Sequence, residues 1–283
     1  MSKPREISCD LISKTVKDLF VEANLCLGAD VIASVEEALH SEDSPLGQEA
    51  LAIILDNARI AREERMPLCQ DTGLAVLFLE VGQDVHIVGG SLYDALQEGV
   101  RAAYRDGFLR KSVCDPLSRK NTGDNTPAVI YTEIVEGDRI RIVAMPKGGG
   151  SENMSGTVML MPSQGVEGIR EYVIAKVADA GPNPCPPVIV GVGIGGSIEQ
   201  SGLLAKKALM RSVGAPNGRD DRLSQLEREI LEEVNRLGIG PQGYGGNTTA
   251  LAVHIEMMPC HIASLPVTVN IQCHVARHRE KVL

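Results

Sequence analysis

No apolar stretch of this sequence approaches the roughly eighteen residues that a membrane-spanning helix requires. The start, Met1-Ser2-Lys3-Pro4-Arg5-Glu6, lacks the apolar core of a secretory signal, so a cytoplasmic protein is expected. A long basic run is also missing: 28 Lys and Arg stand against 37 Asp and Glu, for a formal net charge of -9. That balance gives no electrostatic footprint for nucleic acid, so neither nucleic acid nor membrane is an expected partner. Close cysteine pairs, the usual mark of structural zinc, do not occur. The cysteines instead form an odd set of seven scattered along the chain, unlike a secreted disulfide framework. There is no low-complexity linker and no internal repeat. What remains is ordinary globular composition over 283 residues, 43% hydrophobic and 23% charged. One compact domain over residues 1–283 is expected.

The first 65 residues carry helical periodicity, with Leu11, Val16, Leu19 and Phe20 in one segment and Leu51, Ile54, Leu55 and Ala58 in a later one. This part reads as three helices, and Ser44-Pro45 as a cap followed by proline at the first helical position. Strand signals follow. Leu74 to Val81 and Ala128 to Val135 are apolar and β-branched, and Glu136-Gly137-Asp138 joins the latter to Arg139 to Ala144 as an expected antiparallel hairpin. Pro187 to Val192 reads as a buried strand, followed by a helix from Ser197 to about Met210. Another helix spans about Arg222 to Leu237, with Leu223, Leu226, Ile230, Val234 and Leu237 as its stripe and Gly238 as its stop. The order predicts an α+β fold: N-terminal helices, then a mostly antiparallel or mixed sheet flanked by helices.

Three cysteines sit in turn-rich settings: Cys69 in Met66 to Gly73, Cys185 in Pro182 to Pro187, and Cys273 in Val269 to His274. Free cysteine is commonly a small buried hydrophobe, the reading kept for Cys9 and Cys26 in helical segments. Proline and glycine neighbours favour instead a fixed, partly open thiolate for the other three. A cubane held by only three thiolates would leave one iron open as a Lewis acid, although spacing alone does not establish such a cage.

Four motifs in order, Cys69-Gln70-Asp71-Thr72-Gly73, Pro146-Lys147-Gly148-Gly149-Gly150-Ser151-Glu152-Asn153-Met154-Ser155, Cys185-Pro186-Pro187 with Gly191 to Gly195, and Gly238 to Gly243, resemble the class I fumarate hydratase and L-tartrate dehydratase family across most of the chain. The resemblance implies that Cys69, Cys185 and Cys273 hold a [4Fe-4S] cluster whose open iron binds the hydroxyl and carboxylate of a small diacid. It implies acid-base work for Asp71, with Gln70 beside it, and a carboxylate clamp for Arg110. A histidine twelve residues before the third cysteine of the family matches His261 as a substrate-pocket residue. An Asp capping its own turn and a core histidine are the plain alternatives. Lys147, Gly148, Gly149 and Gly150 would bring backbone N–H groups close to an anionic ligand, or simply supply a flexible turn. This run looks closer to the fumarate branch than to the tartrate branch. The implied activity is therefore a hydro-lyase of the tricarboxylic acid cycle, interconverting fumarate and (S)-malate, with L(+)-tartrate dehydratase as the alternative.

Gly191-Val192-Gly193-Ile194-Gly195-Gly196 fits the dinucleotide fingerprint literally, but the stretch about twenty residues on, Arg211 to Pro216, offers neither strand nor acid. The resemblance makes it a close-packed turn behind Cys185. Cys260, His261, Cys273, His274 and His278 would suit a zinc-binding module, which leaves Cys69 and Cys185 unexplained. In single-chain relatives a second domain follows the third cysteine, whereas this sequence runs ten residues past Cys273 to Leu283. The resemblance therefore implies an α subunit in a hetero-oligomer, completed by a separate β subunit that carries the base for the C3 proton. A non-enzymatic iron-sulfur scaffold is the remaining alternative.

Overall fold

The computed structural model describes residues 4–283; Met1 to Lys3, part of the start read above, lie outside the described residues. In chain order the elements are β1 (Arg5–Ser8), α1 (Cys9–Leu25), α2 (Ala29–Ser41), α3 (Pro45–Glu63), β2 (Leu74–Gly82), β3 (Val85–Val88), α4 (Leu92–Asp106), β4 (Val129–Val135) and β5 (Ile140–Lys147). The one-turn α5 (Gly149–Glu152), β6 (Gly156–Leu160), α6 (Gly165–Ala180), β7 (Val188–Gly195), α7 (Ile198–Ala208), α8 (Asp221–Arg236), β8 (Ala250–Met258), β9 (Leu265–Gln272) and β10 (Arg279–Val282) complete them. The fold is α+β; the short β1 precedes the three expected N-terminal helices, and both larger sheets are mixed. No helix among the described residues is long and apolar enough to cross a membrane.

Chain contacts divide into two compact units. The first comprises, of the described residues, 4–27, Ala58–Gly149 and Arg277–Leu283. Its four-stranded sheet runs β10-β5-β2-β4, and β1 pairs with β3 in a separate parallel ribbon. Helix α1 starts at the Ser8 cap, whose hydroxyl accepts the Leu11 N–H at 3.2 Å. It buries Ile12, Val16, Leu19, Phe20 and Ala23. Leu11, counted in the stripe from sequence, faces outward because the buried face is in phase with Ile12 and Val16, four residues apart. Helix α4 packs against α1 through Gly99, where a Cβ would stand 2.6 Å from the Ser13 carbonyl oxygen. Leu77, Leu79, Ile140 and Ile142 of the sheet close this core.

The expected hairpin between β4 and β5 does not form. Strand β2 lies between them, parallel to β4 and antiparallel to β5. Its run from Ala75 to Leu79 is wholly buried, which suits the central position, and the 136–138 loop crosses its end. Gly82 makes that crossing possible: its N–H donates to the Arg139 carbonyl, and a Cβ there would sit 2.4 Å from the Gly137 carbonyl oxygen.

The second unit comprises Gly28–Asn57 and Gly150–Ala276, with sheet order β6-β9-β7-β8. Every residue of central β7 is buried. Its even positions Val188, Val190, Val192 and Ile194 join the core built with Ile169, Val173 and Val177 of α6 and Ile230 and Val234 of α8. Its odd positions include Gly191 and Gly193, where a Cβ would meet the carbonyl oxygens of Ala205 and Ser201 in α7 at 2.2 and 1.9 Å. The glycine run is thus a strand with period two on which a helix lies directly, not the turn expected from sequence.

Candidate functional site

In the first unit the site centres on the Cys69–Gly73 turn. The Leu68 N–H donates to the Asn24 carbonyl at the end of α1 at 2.8 Å, anchoring the entry to the turn. Cys69 is half-buried, and its sulfur accepts the Asp71 N–H at 3.4 Å. Asp71 uses both carboxylate oxygens: Oδ1 accepts the Gly73 N–H at 2.9 Å and Oδ2 accepts the Gly149 N–H at 2.7 Å. The first bond is the turn cap anticipated as the plain alternative; the second joins Asp71 to the Lys147–Gly150 run. Gly73, at φ +77°, cannot carry a side chain, since a Cβ would lie 2.7 Å from the Lys147 backbone nitrogen.

Buried polar groups fix the exit of the turn. The Tyr104 hydroxyl sits 2.8 Å from the Thr72 carbonyl and 2.9 Å from that of Gly73, and Asn125 Nδ2 donates to Gly73 at 3.2 Å. Burial pushes the Tyr104 hydroxyl well above its ordinary pKa, so it is a permanent donor here. Thr72 Oγ1 donates to the carbonyl of Arg110, which ties Arg110 to the turn through its backbone, while its side chain is exposed. Gln70 is exposed. Lys147 is 1% exposed and opposes Leu74 in the β2–β5 register. Finally, Arg277 Nη2 donates to the Asp71 carbonyl.

In the second unit Cys185 and Cys273 reach the same end of the sheet. Cys185 precedes β7, Cys273 follows β9, and Ile189 opposes Gln272 in the antiparallel register. His274 Nδ1 lies 2.9 Å from the Cys185 carbonyl and donates to it in the Nδ1–H tautomer. Cys185 is exposed, at φ +57°. Gln242, in the Gly238–Gly243 run, donates to the Pro186 carbonyl through both its backbone N–H and Nε2 at 2.7 Å. Gln272 Nε2 approaches Cys273 Sγ at 3.7 Å and donates to the Val275 carbonyl at 3.1 Å.

His261 is not brought together with these cysteines in its unit. It lies in the exposed turn between β8 and β9, where Nδ1 accepts the Ala263 N–H at 3.1 Å. Strand β9 separates that turn from Cys273, roughly 25 Å at the usual rise per residue. The same separation divides Cys260 and His261 from Cys273 and His274. Among the described residues no three of His, Cys, Asp and Glu stand together so as to hold a metal ion, and this applies to the three turn cysteines as it does to the zinc candidates. Gly150 is exposed and belongs to the second unit, whereas Lys147, Gly148 and Gly149 belong to the first.

Sequence reasoning missed the supporting residues Tyr104, Asn125, Gln242 and Arg277, and weighed His274 only as a zinc ligand. Gln242 stood inside a recognised motif and His274 beside Cys273, so proximity could have flagged both. Tyr104 and Asn125 reach the turn from 32 and 52 residues away in sequence, with no local signal.

A family model for fumarate hydratase (Fumerase) matches residues 13–282. A Methanocaldococcus jannaschii protein that bears, provisionally, the name L(+)-tartrate dehydratase subunit alpha is 44% identical over 276 residues, covering 95% of this chain and 96% of that one. The L(+)-tartrate dehydratase subunit alpha of Escherichia coli K12 is 34% identical over 254 residues, covering 88% of this chain and 82% of that one. On these matches the chain belongs to the fumarate hydratase (Fumerase) family.

Proposed function

We propose that this chain is the α subunit of an iron-sulfur hydro-lyase that interconverts fumarate and (S)-malate. The observation that carries the reading is the Asp71 carboxylate, fixed through both oxygens two residues from Cys69. Cys69, Cys185 and Cys273 would hold the [4Fe-4S] cluster. Their chemistry fits: all three stand outside disulfides and are exposed or half-buried. The Cys69 and Cys273 sulfurs also face the Asp71 N–H and the Gln272 amide at 3.4 and 3.7 Å. When bound, the cluster supplies an iron that polarises the substrate hydroxyl and carboxylate as a Lewis acid.

This chain's residues do the rest of the α subunit's work. Hydration places OH on C2 and a proton on C3 of the double bond. Asp71 takes the proton lost by the attacking water, and in dehydration returns it to the departing hydroxyl. Gln70, exposed at the tip of the turn, orients that water. Arg110 offers a planar fork to one substrate carboxylate. Lys147 and the Gly148–Gly149 backbone hold the Asp71 side of the pocket, while Gly150 continues the run in the second unit. In dehydration a base on a separate β subunit takes the C3 proton, and in hydration its protonated form returns it, in line with the "subunit alpha" names of the relatives. The resemblance also assigns His261 to the substrate pocket, and its place in the exposed turn between β8 and β9 lends that assignment no support of its own.

A second reading, L(+)-tartrate dehydratase, is favoured by those same names. The test is anaerobic assay of this chain with its β subunit on fumarate, (S)-malate and L(+)-tartrate. Preferred turnover of fumarate and malate supports the proposal, preference for tartrate replaces it with the second reading, and turnover of neither by a cluster-loaded complex leaves an iron-sulfur scaffold.

A further inference from the structure

Arg277 is 4% exposed and carries a planar guanidinium cation. Nη2 donates to the Asp71 carbonyl. Nε and Nη1 are buried with no hydrogen-bond partner among the described residues. The neighbouring carboxylate is occupied elsewhere, since Asp71 Oδ1 and Oδ2 accept from Gly73 and Gly149. A buried cation with three N–H hydrogens unspent is costly unless an anion meets it. Position within the first unit says where that anion would be: Asp71, whose carbonyl Nη2 holds, is two residues past Cys69. The Tyr104 hydroxyl at the same turn feels both the Arg277 and the Asp71 charges.

We infer that Arg277 is an anion-binding residue of this site, fixing the Asp71 main chain with Nη2 and presenting Nε and Nη1 to an acidic ligand at the Cys69–Gly73 turn. The inference rests on the proposed function for the nature of that ligand, which is either a substrate carboxylate or the negatively charged cluster. Both present compact anionic acceptors, and the planar fork suits either.

The test uses the α and β subunits together, loaded with iron and sulfide without oxygen, as wild type, Arg277→Gln and Arg277→Lys. Melting temperature, iron and sulfide per chain, KM, kcat and inhibition by succinate are measured. If the ligand is a carboxylate, Arg277→Gln raises KM and the succinate inhibition constant about tenfold or more at normal iron content, and lysine restores part of the loss. If it is the cluster, iron and sulfide fall at least twofold while the loaded fraction binds succinate normally. Wild-type values of every quantity in Arg277→Gln overturn the inference, as does a fall in melting temperature alone. Should the glutamine variant fail to fold, the lysine variant is read by the same criteria, and collapse of both makes Arg277 a structural strap. A wild type without iron, sulfide or hydration refutes the hydro-lyase reading instead. Arg277 is then judged by calorimetric binding of succinate to wild type and variant.

Discussion

The Gly149 N–H donates to Asp71 Oδ2 at 2.7 Å, so the glycine run that sequence marked as an anion cradle meets a carboxylate of its own chain. The two motifs are 78 residues apart and joined by the β2–β5 register that sets Lys147 opposite Leu74. Asp71→Asn keeps an acceptor for Gly73 but turns an N–H₂ toward Gly149. Turnover of the α/β complex should fall by about 100-fold or more, the usual range for loss of an acid-base group. Stability should fall by only about 1–2 kcal/mol, from one broken bond. Kinetics and urea unfolding on the same samples check both; wild-type turnover would remove Asp71 from the chemistry.

Tyr104→Phe tests how rigidly the turn is held. The change leaves the Thr72 and Gly73 carbonyls short of a buried donor, and unfolding should become easier by about 1–3 kcal/mol. Denaturant midpoints at constant m-value are the readout.

Gly193→Ala would place a methyl group 1.9 Å from the Ser201 carbonyl oxygen, forcing α7 away from β7. A loss of about 3 kcal/mol or more is expected, the upper end for overpacking. A nucleotide-binding turn would respond quite differently, losing a ligand while keeping its stability.

His254, 1% exposed on β8, carries a pH dependence. Desolvation, reinforced by the charge of Arg211, holds its pKa down to about 4, against about 6.5 in the unfolded chain. The folded state therefore resists protonation. Its contribution is whole above pH about 6.5 and is lost as pH falls from there toward 4. His254→Asn, which can still donate to the Ala208 carbonyl, should abolish about 2 kcal/mol of the stability difference between pH 7 and pH 4.5. An unchanged difference would show that His254 titrates normally.

Legibility in the sequence followed the range of the physics. The helical stripes of α3 and α8 and the cap at Ser44 are set by neighbours within a turn, and were readable. Strand partners were not: β4 and β5 are joined by a short loop, yet β2, with the more continuous apolar run, takes the place between them. The cysteine turns and the Gly238–Gly243 run were legible as motifs. Their supports were not, because Tyr104, Asn125 and Arg277 act on the turn across 31 to 206 residues of chain. His261 shows the converse: a spacing that matched the family falls at the far end of β9 from Cys273.

The most direct measurement is iron, zinc and acid-labile sulfide per chain in protein purified without oxygen, comparing wild type with Cys69→Ser, Cys185→Ser and Cys273→Ser. The account predicts about four irons and four sulfides in the wild type and loss of both in every variant. Stoichiometric zinc without sulfide, or cluster content indifferent to these cysteines, would contradict it.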